Sequence, residues 1–233
     1  MTSTVFFDVD FTLIYPGPAF QGEGYQAFCA RHGMEVDPSR FGDAVRSASH
    51  ILDREQEAVY NAQIFIDYTA HIIRQMGGRG ATVEACAAEI YDEWAACHHF
   101  VLYDEVPAAL EMLSQQGLQL GLISNSHRSL DSFQEHFELD GLIDFAISSS
   151  QHGYMKPHPS IFQAALKLAG VSAAEAMMVG DSLTQDIEGA LRVGMSGVLV
   201  RRSEVDSESF VSHVPVIKSL LDLPSRIFQP PNP

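Results

Sequence analysis

Val5-Phe6-Phe7-Asp8-Val9-Asp10-Phe11-Thr12 is the stretch from which the fold of this chain is read. A short apolar run of strand-forming residues ends in two carboxylates set two positions apart. In extended or gently turning backbone, residues i and i+2 project to the same side, so Asp8 and Asp10 can face one small volume. Such a pair can divide the work between an ionised nucleophile or metal ligand and a proton donor, because mutual repulsion and an added cation drive the two pKa values apart. The same pattern also fits a solvated acidic turn at a strand end, so its weight depends on the motifs downstream in the chain.

Three further apolar runs each deliver a residue suited to phosphate or metal. Leu118 to Ile123 leads into Ser124-Asn125. Phe145 to Ile147 leads through a Ser-rich loop to Lys156-Pro157. Ala176 to Val179 leads into Gly180-Asp181-Ser182, with Asp186 beyond. Helical periodicity fills the intervals, and the strand, loop, helix repeat predicts an α/β fold with a doubly wound parallel sheet, a Rossmann-like core. In such sheets the ligand crevice lies outside the carboxyl ends of the strands, where the four segments would converge.

This order of motifs resembles the haloacid dehalogenase superfamily, in its phosphatase-like branch with a helical cap inserted after the first motif. The resemblance runs from Phe6 to about Val200 and assigns roles residue by residue. It implies Asp8 as the nucleophile that becomes an aspartyl phosphate, Asp10 as general acid and base, and Thr12 as the hydroxyl that buttresses the loop. Ser124 and Asn125 match the second motif, which binds the transferring phosphoryl group, and Lys156 matches the third-motif lysine. Mg²⁺ is implied as cofactor, held by Asp8, the carbonyl of Asp10, and Asp181; Asp186 matches the more distant acid, and lying within a helix it can orient the ligands or stand as a solvated acid, with direct contact to the ion the less favoured reading. Position 11 departs from the pattern, being Phe where many members carry Gly.

Physical chemistry supports these residue types. An anionic nucleophile must approach an anionic phosphate, so charge has to be neutralised and the groups held in line. Mg²⁺ takes hard oxygen ligands, which carboxylates and a carbonyl supply. Carboxylate attack splits one hard displacement into two easier ones, and Asp10 must give and later take a proton, which calls for a raised pKa. Lys156 offers a compact positive charge, and it is one of only three lysines in the chain. Plainer readings stay open: Ser124-Asn125-Ser126 can cap a helix beginning near Arg128, and Asp181-Ser182 can be an N-cap.

The interval from Pro16 to about Phe100 has another texture. Periodic stretches near 19–32, 41–52, 56–76 and 83–97 predict amphipathic helices, broken at Pro38 and Gly77-Gly78-Arg79-Gly80. The expected organisation is a core of 1–15 with 101–226, an all-helical cap of 16–100 able to close over substrate, and a disordered tail of 227–233. Val214 to Leu223 reads as a final helix and 201–210 as an acidic loop. The cap holds no lysine, which leaves a Schiff-base mechanism without a candidate. Its arginines, Arg31, Arg40, Arg46, Arg54, Arg74 and Arg79, and its histidines, His32, His50, His71, His98 and His99, read mainly as helix-face and surface residues.

Composition narrows the partners. The chain has 233 residues, 46% hydrophobic and 19% charged, and a formal net charge of −16. That charge argues against a nucleic-acid backbone or an anionic membrane as partner, since both call for basic surface. Cys29, Cys86 and Cys97 form no C-x-x-C pattern and imply no disulfide framework. The start of the sequence lacks a basic and then apolar leader, and a cytoplasmic protein is expected. The expected activity is Mg²⁺-dependent hydrolysis of a small phosphorylated metabolite. A phosphomutase with the same residues, a metal-independent 2-haloacid dehalogenase and a non-catalytic binding module are the alternatives.

Overall fold

A computed structural model describes residues 2–52, 59–202 and 214–228. The chain divides into two compact units, Met1–Tyr15 with Leu102–Pro233, and Pro16–Val101. Its strands are β1 (Thr4–Phe7), β2 (Ile14–Pro16), β3 (Phe100–Leu102), β4 (Gln119–Ser124), β5 (Phe145–Ser148), β6 (Ala176–Gly180), β7 (Ser196–Val200) and β8 (Val216–Ile217).

The first unit is built on a six-stranded sheet of order β5-β4-β1-β6-β7-β8, with every pairing parallel. Thr4 to Phe7 pair with Gln119 to Leu122 on one side and with Ala176 to Val179 on the other. All four β1 residues are buried, as a strand covered on both faces requires. Because the chain leaves β1 for neighbours on opposite sides, the carboxyl end of β1 is the point where the winding reverses and a crevice forms. Helix Pro159–Ala169 carries one core layer: its Ile161, Phe162 and Ala165 pack with Phe6, Ile123 and Met178. Pro159 opens that helix and Gly170, at φ 70°, closes it in the left-handed conformation that suits glycine.

Two elements of this unit differ from the reading of the sequence. Val214 to Leu223 is not one helix. Val216-Ile217 forms β8 beside Leu199-Val200, the turn Leu220–Asp222 follows, and only then does helix Leu223–Ile227 begin. The β-branched pair fits a sheet edge better than a helix, and Ser219 with Asp222 makes a capping box that starts the turn afresh. Helix 223–227 also claims Ile227 from the expected tail, while 229–233, 203–210 and Arg54 lie outside the described residues. The Ser-rich stretch after β5 is a short helix, Ser149–His152, rather than a loop.

The second unit is helical, with helices Gly22–Arg31, Phe41–Leu52, Ala62–Gln75 and Val83–Glu93. The third starts at Ala62, not near 56, because the Asn61 side chain accepts from Gln63 N at 3.0 Å and fixes the N-cap there. Pro18–Phe20, Pro38–Arg40 and Cys97–His99 are single 3₁₀ turns. Phe20 is the aromatic hub, with ring centroids 4.5 Å from Trp94 and 5.4 Å from Phe100. Cys29 and Cys86, on the first and last helices, bring buried thiols 4.0 Å apart. No helix among the described residues is long and apolar enough to cross a membrane.

Candidate active site

Asp8 continues β1 by one residue, donating its N–H to Val179 O at 2.9 Å. That bond puts its side chain at the sheet end where β4 delivers Ser124 and β6 delivers Asp181. One carboxylate oxygen of Asp8 accepts from Lys156 Nζ at 2.6 Å and the other from Thr12 Oγ1 at 3.0 Å. Asp8 is thereby held in one orientation by a cation and a hydroxyl. Lys156 also donates to the carbonyl of Ile123 at 2.7 Å and lies 2.7 Å from Asp186 Oδ1. Burial opposes its charge, but Asp186 and Asp8 together outweigh that and raise its pKa.

The loop carrying Lys156 is clasped by Asn125. Lys156 N donates to Asn125 Oδ1 at 2.7 Å, and Asn125 Nδ2 donates to Lys156 O at 2.9 Å and to Gln185 Oε1 at 3.2 Å. In the structure the Asn125 amide thus ties its own loop to the Lys156 loop and to the helical stretch that carries Gln185. Ser124 is fully buried and donates to Ser126 Oγ at 3.0 Å. The following helix begins at Leu130, not near Arg128, and its cap is Ser129, which accepts from Ser132 N at 3.2 Å.

After β6, the chain enters a π-helical stretch, Leu183–Glu188, capped by Ser182. The wide turn brings Asp186 back so that its Oδ2 accepts from Ser182 N at 2.9 Å. Gly180 is required here: a Cβ at that position would run into the Asp186 carboxylate. Asp8, Asp181 and Asp186 each place a carboxylate oxygen within 4.8 Å of the others. Asp186 is therefore as close to the acid cluster as the two residues assigned to the metal. Burial, and then repulsion from Asp8 and Asp186, pushes the Asp181 pKa well up. Burial pushes Asp186 to about 6 against the pull of Lys156. Three carboxylates facing a single ammonium leave excess negative charge on hard oxygen donors, which fits a divalent ion such as Mg²⁺.

Asp10 faces a partner that sequence reading passed over. Arg128, only 1% exposed, donates from Nη1 to Asp10 Oδ1 at 3.0 Å. Burial raises the Asp10 pKa and Arg128 draws it back down. Two more arginines brace the loops. Arg202 donates to Thr12 O at 2.6 Å, pairs with Glu105 and lies 3.8 Å over the Tyr103 ring. Arg201 donates to the carbonyl of Asp181. No spacing rule singles these arginines out; Arg128 stands only two residues past Ser126, the one sequence hint available.

Phe11 has φ 64° and is 46% exposed. A left-handed conformation suits glycine and strains an aromatic residue by about 1–3 kcal/mol. The bond from Phe11 N to Ile14 O, 2.6 Å, holds the turn.

Comparisons with known proteins agree with this fold. A glyceraldehyde 3-phosphate phosphatase of Pyrococcus abyssi is 32% identical over 207 residues, 85% of this chain and 81% of its own. The human haloacid dehalogenase-like hydrolase domain-containing protein 3 is 31% identical over 186 residues, 77% of this chain and 74% of its own. The structure of a magnesium-bound HAD-hydrolase from Bacillus subtilis superposes with a TM-score of 0.75 at 16% identity, covering 98% of this chain and 99% of that one. The family profile of haloacid dehalogenase-like hydrolases matches residues 2–194. A parallel sheet whose carboxyl edge gathers acids from the first and last of these matched motifs around one lysine is thus the core of an enzyme, and the chain belongs to the haloacid dehalogenase-like hydrolase family.

Proposed function

We propose that this hydrolase is a Mg²⁺-dependent phosphatase of a small phosphorylated metabolite, working through an aspartyl phosphate on Asp8. The observation that carries the reading is the environment of Asp8: a carboxylate fixed by Lys156 and Thr12, in a cluster with Asp181 and Asp186. The phosphatase activity named for the archaeal relative supports the same class of substrate. The free thiols of Cys29, Cys86 and Cys97 suit a reducing, cytoplasmic setting.

Asp8, Asp181 and the Asp10 carbonyl would hold Mg²⁺, with Asp186 beside them; when bound, the ion neutralises the charge of the phosphoryl oxygens. Lys156 adds a fixed positive charge at Asp8 and holds the carboxylate in its attacking orientation. The Asp8 oxygen forms a bond to phosphorus as the ester oxygen leaves, and Asp10 gives that oxygen its proton. Asp10, now ionised and steadied by Arg128, takes a proton from the water that attacks the aspartyl phosphate. Inorganic phosphate departs and Asp8 is regenerated, so one ester bond and one water are consumed per turnover.

Phosphate release from an aryl phosphate tests this. Release should require Mg²⁺ and stop with chelator; equal rates in both would remove the metal from the reading. Asp8→Asn should abolish turnover in a folded protein, and wild-type turnover in that variant would exclude the nucleophile. A panel of phosphorylated metabolites, with 2-haloacids as a comparison arm scored by halide release, then defines the substrate.

A further inference from the structure

We propose that the helical unit carries a second metal site, for a borderline divalent ion such as Zn²⁺, formed by Glu93, His98 and His99. Each offers a ligand atom within 4.8 Å of the other two. Glu93 closes helix Val83–Glu93, and the chain then folds back through Ala96 N to Glu93 O, 2.9 Å, and His99 N to Ala96 O, 3.2 Å. This return sets the 3₁₀ turn Cys97–His99 over the end of the helix it has just left. His99 Nε2 lies 2.9 Å from Glu93 Oε2, and the rings of His98 and His99 lie with centroids 4.0 Å apart.

The framework under these ligands is closely packed. The His99 ring packs edge-on against Phe20 at 5.3 Å, and Phe20 packs against Trp94, the residue after Glu93, at 4.5 Å. Gly17 N donates to His99 O at 2.8 Å, an approach so close that a side chain at 17 would strike that carbonyl. Two imidazoles and one carboxylate, supported from behind, are the donor set of an open Zn²⁺ site. The acids of the first unit offer oxygen alone, so the two sites sort ions by ligand type. Binding at Glu93, His98 and His99 replaces the direct contact of His99 Nε2 with Glu93 by a shared ion and staples the end of the helix to the turn that leads into β3.

Calorimetric titration of the whole protein with Zn²⁺, in saturating Mg²⁺ to keep the carboxylate cluster occupied, tests the site. One Zn²⁺ per chain is expected. His98→Ala, at an exposed position, and Glu93→Gln should each weaken uptake by about 10–100-fold or more. His71→Ala, which alters a histidine pair elsewhere in the unit, should leave it unchanged. Co²⁺ provides a second readout, as its d–d absorption should shift in Glu93→Gln. The absence of stoichiometric uptake by the wild type, or wild-type affinity in both His98→Ala and Glu93→Gln, would overturn the proposal.

Discussion

Replacing Arg128 by Met should separate the two proton transfers assigned to Asp10. The guanidinium is completely buried, the Asp10 side chain is 18% exposed, and they meet at 3.0 Å. A hydrogen bond to a charged group contributes about 1.5–3 kcal/mol, and each pH unit corresponds to about 1.4 kcal/mol. Arg128 favours the ionised form of Asp10, so its removal raises the Asp10 pKa further above the usual carboxylate range. The donor half of the cycle needs protonated Asp10 and survives; the acceptor half needs the carboxylate and slows at neutral pH. Aspartyl phosphate should therefore accumulate, and the acid limb of the kcat profile should move upward. Acid-quench kinetics would show the phosphoenzyme as a burst, and steady-state rates across pH would locate the limb. Arg128→Lys, which keeps the charge but not the planar fork, should show only part of the shift. A loss of turnover with an unmoved pH profile would reduce Arg128 to a packing role.

Two other perturbations probe the acid cluster. Lys156→Met leaves Asp8 and Asp186 buried without the cation between them, and should cost about 3–5 kcal/mol in urea unfolding; adding Asp186→Asn should recover much of that, while an additive loss would argue against the ion-pair account. Gly180→Ala drives a methyl group into the Asp186 carboxylate and should lower kcat by about 10²-fold, the scale of an ångström-sized misplacement, so unimpaired phosphate release would show that Asp186 has room to move.

The alternation of apolar runs and helical stretches was enough to define a parallel α/β core, because strand and helix periodicity are local properties of a sequence. The spacing of Asp8, Asp10 and Thr12 and the order of Ser124, Lys156 and Asp181 likewise identified the candidate site, since each follows an apolar run that ends at the same rim of the sheet. Edge strand β8 escaped notice: two residues cannot display a period, and only their pairing with Leu199 and Val200 defines them. Arg128 on Asp10, Arg202 behind Thr12, the clasp of Asn125 and the return of Asp186 through a π turn were decided by tertiary structure. A lone arginine or acid carries no pattern in one dimension. Its charge acquires a role only when folding buries it within about 3 Å of an opposite charge, in surroundings where water no longer screens the pair.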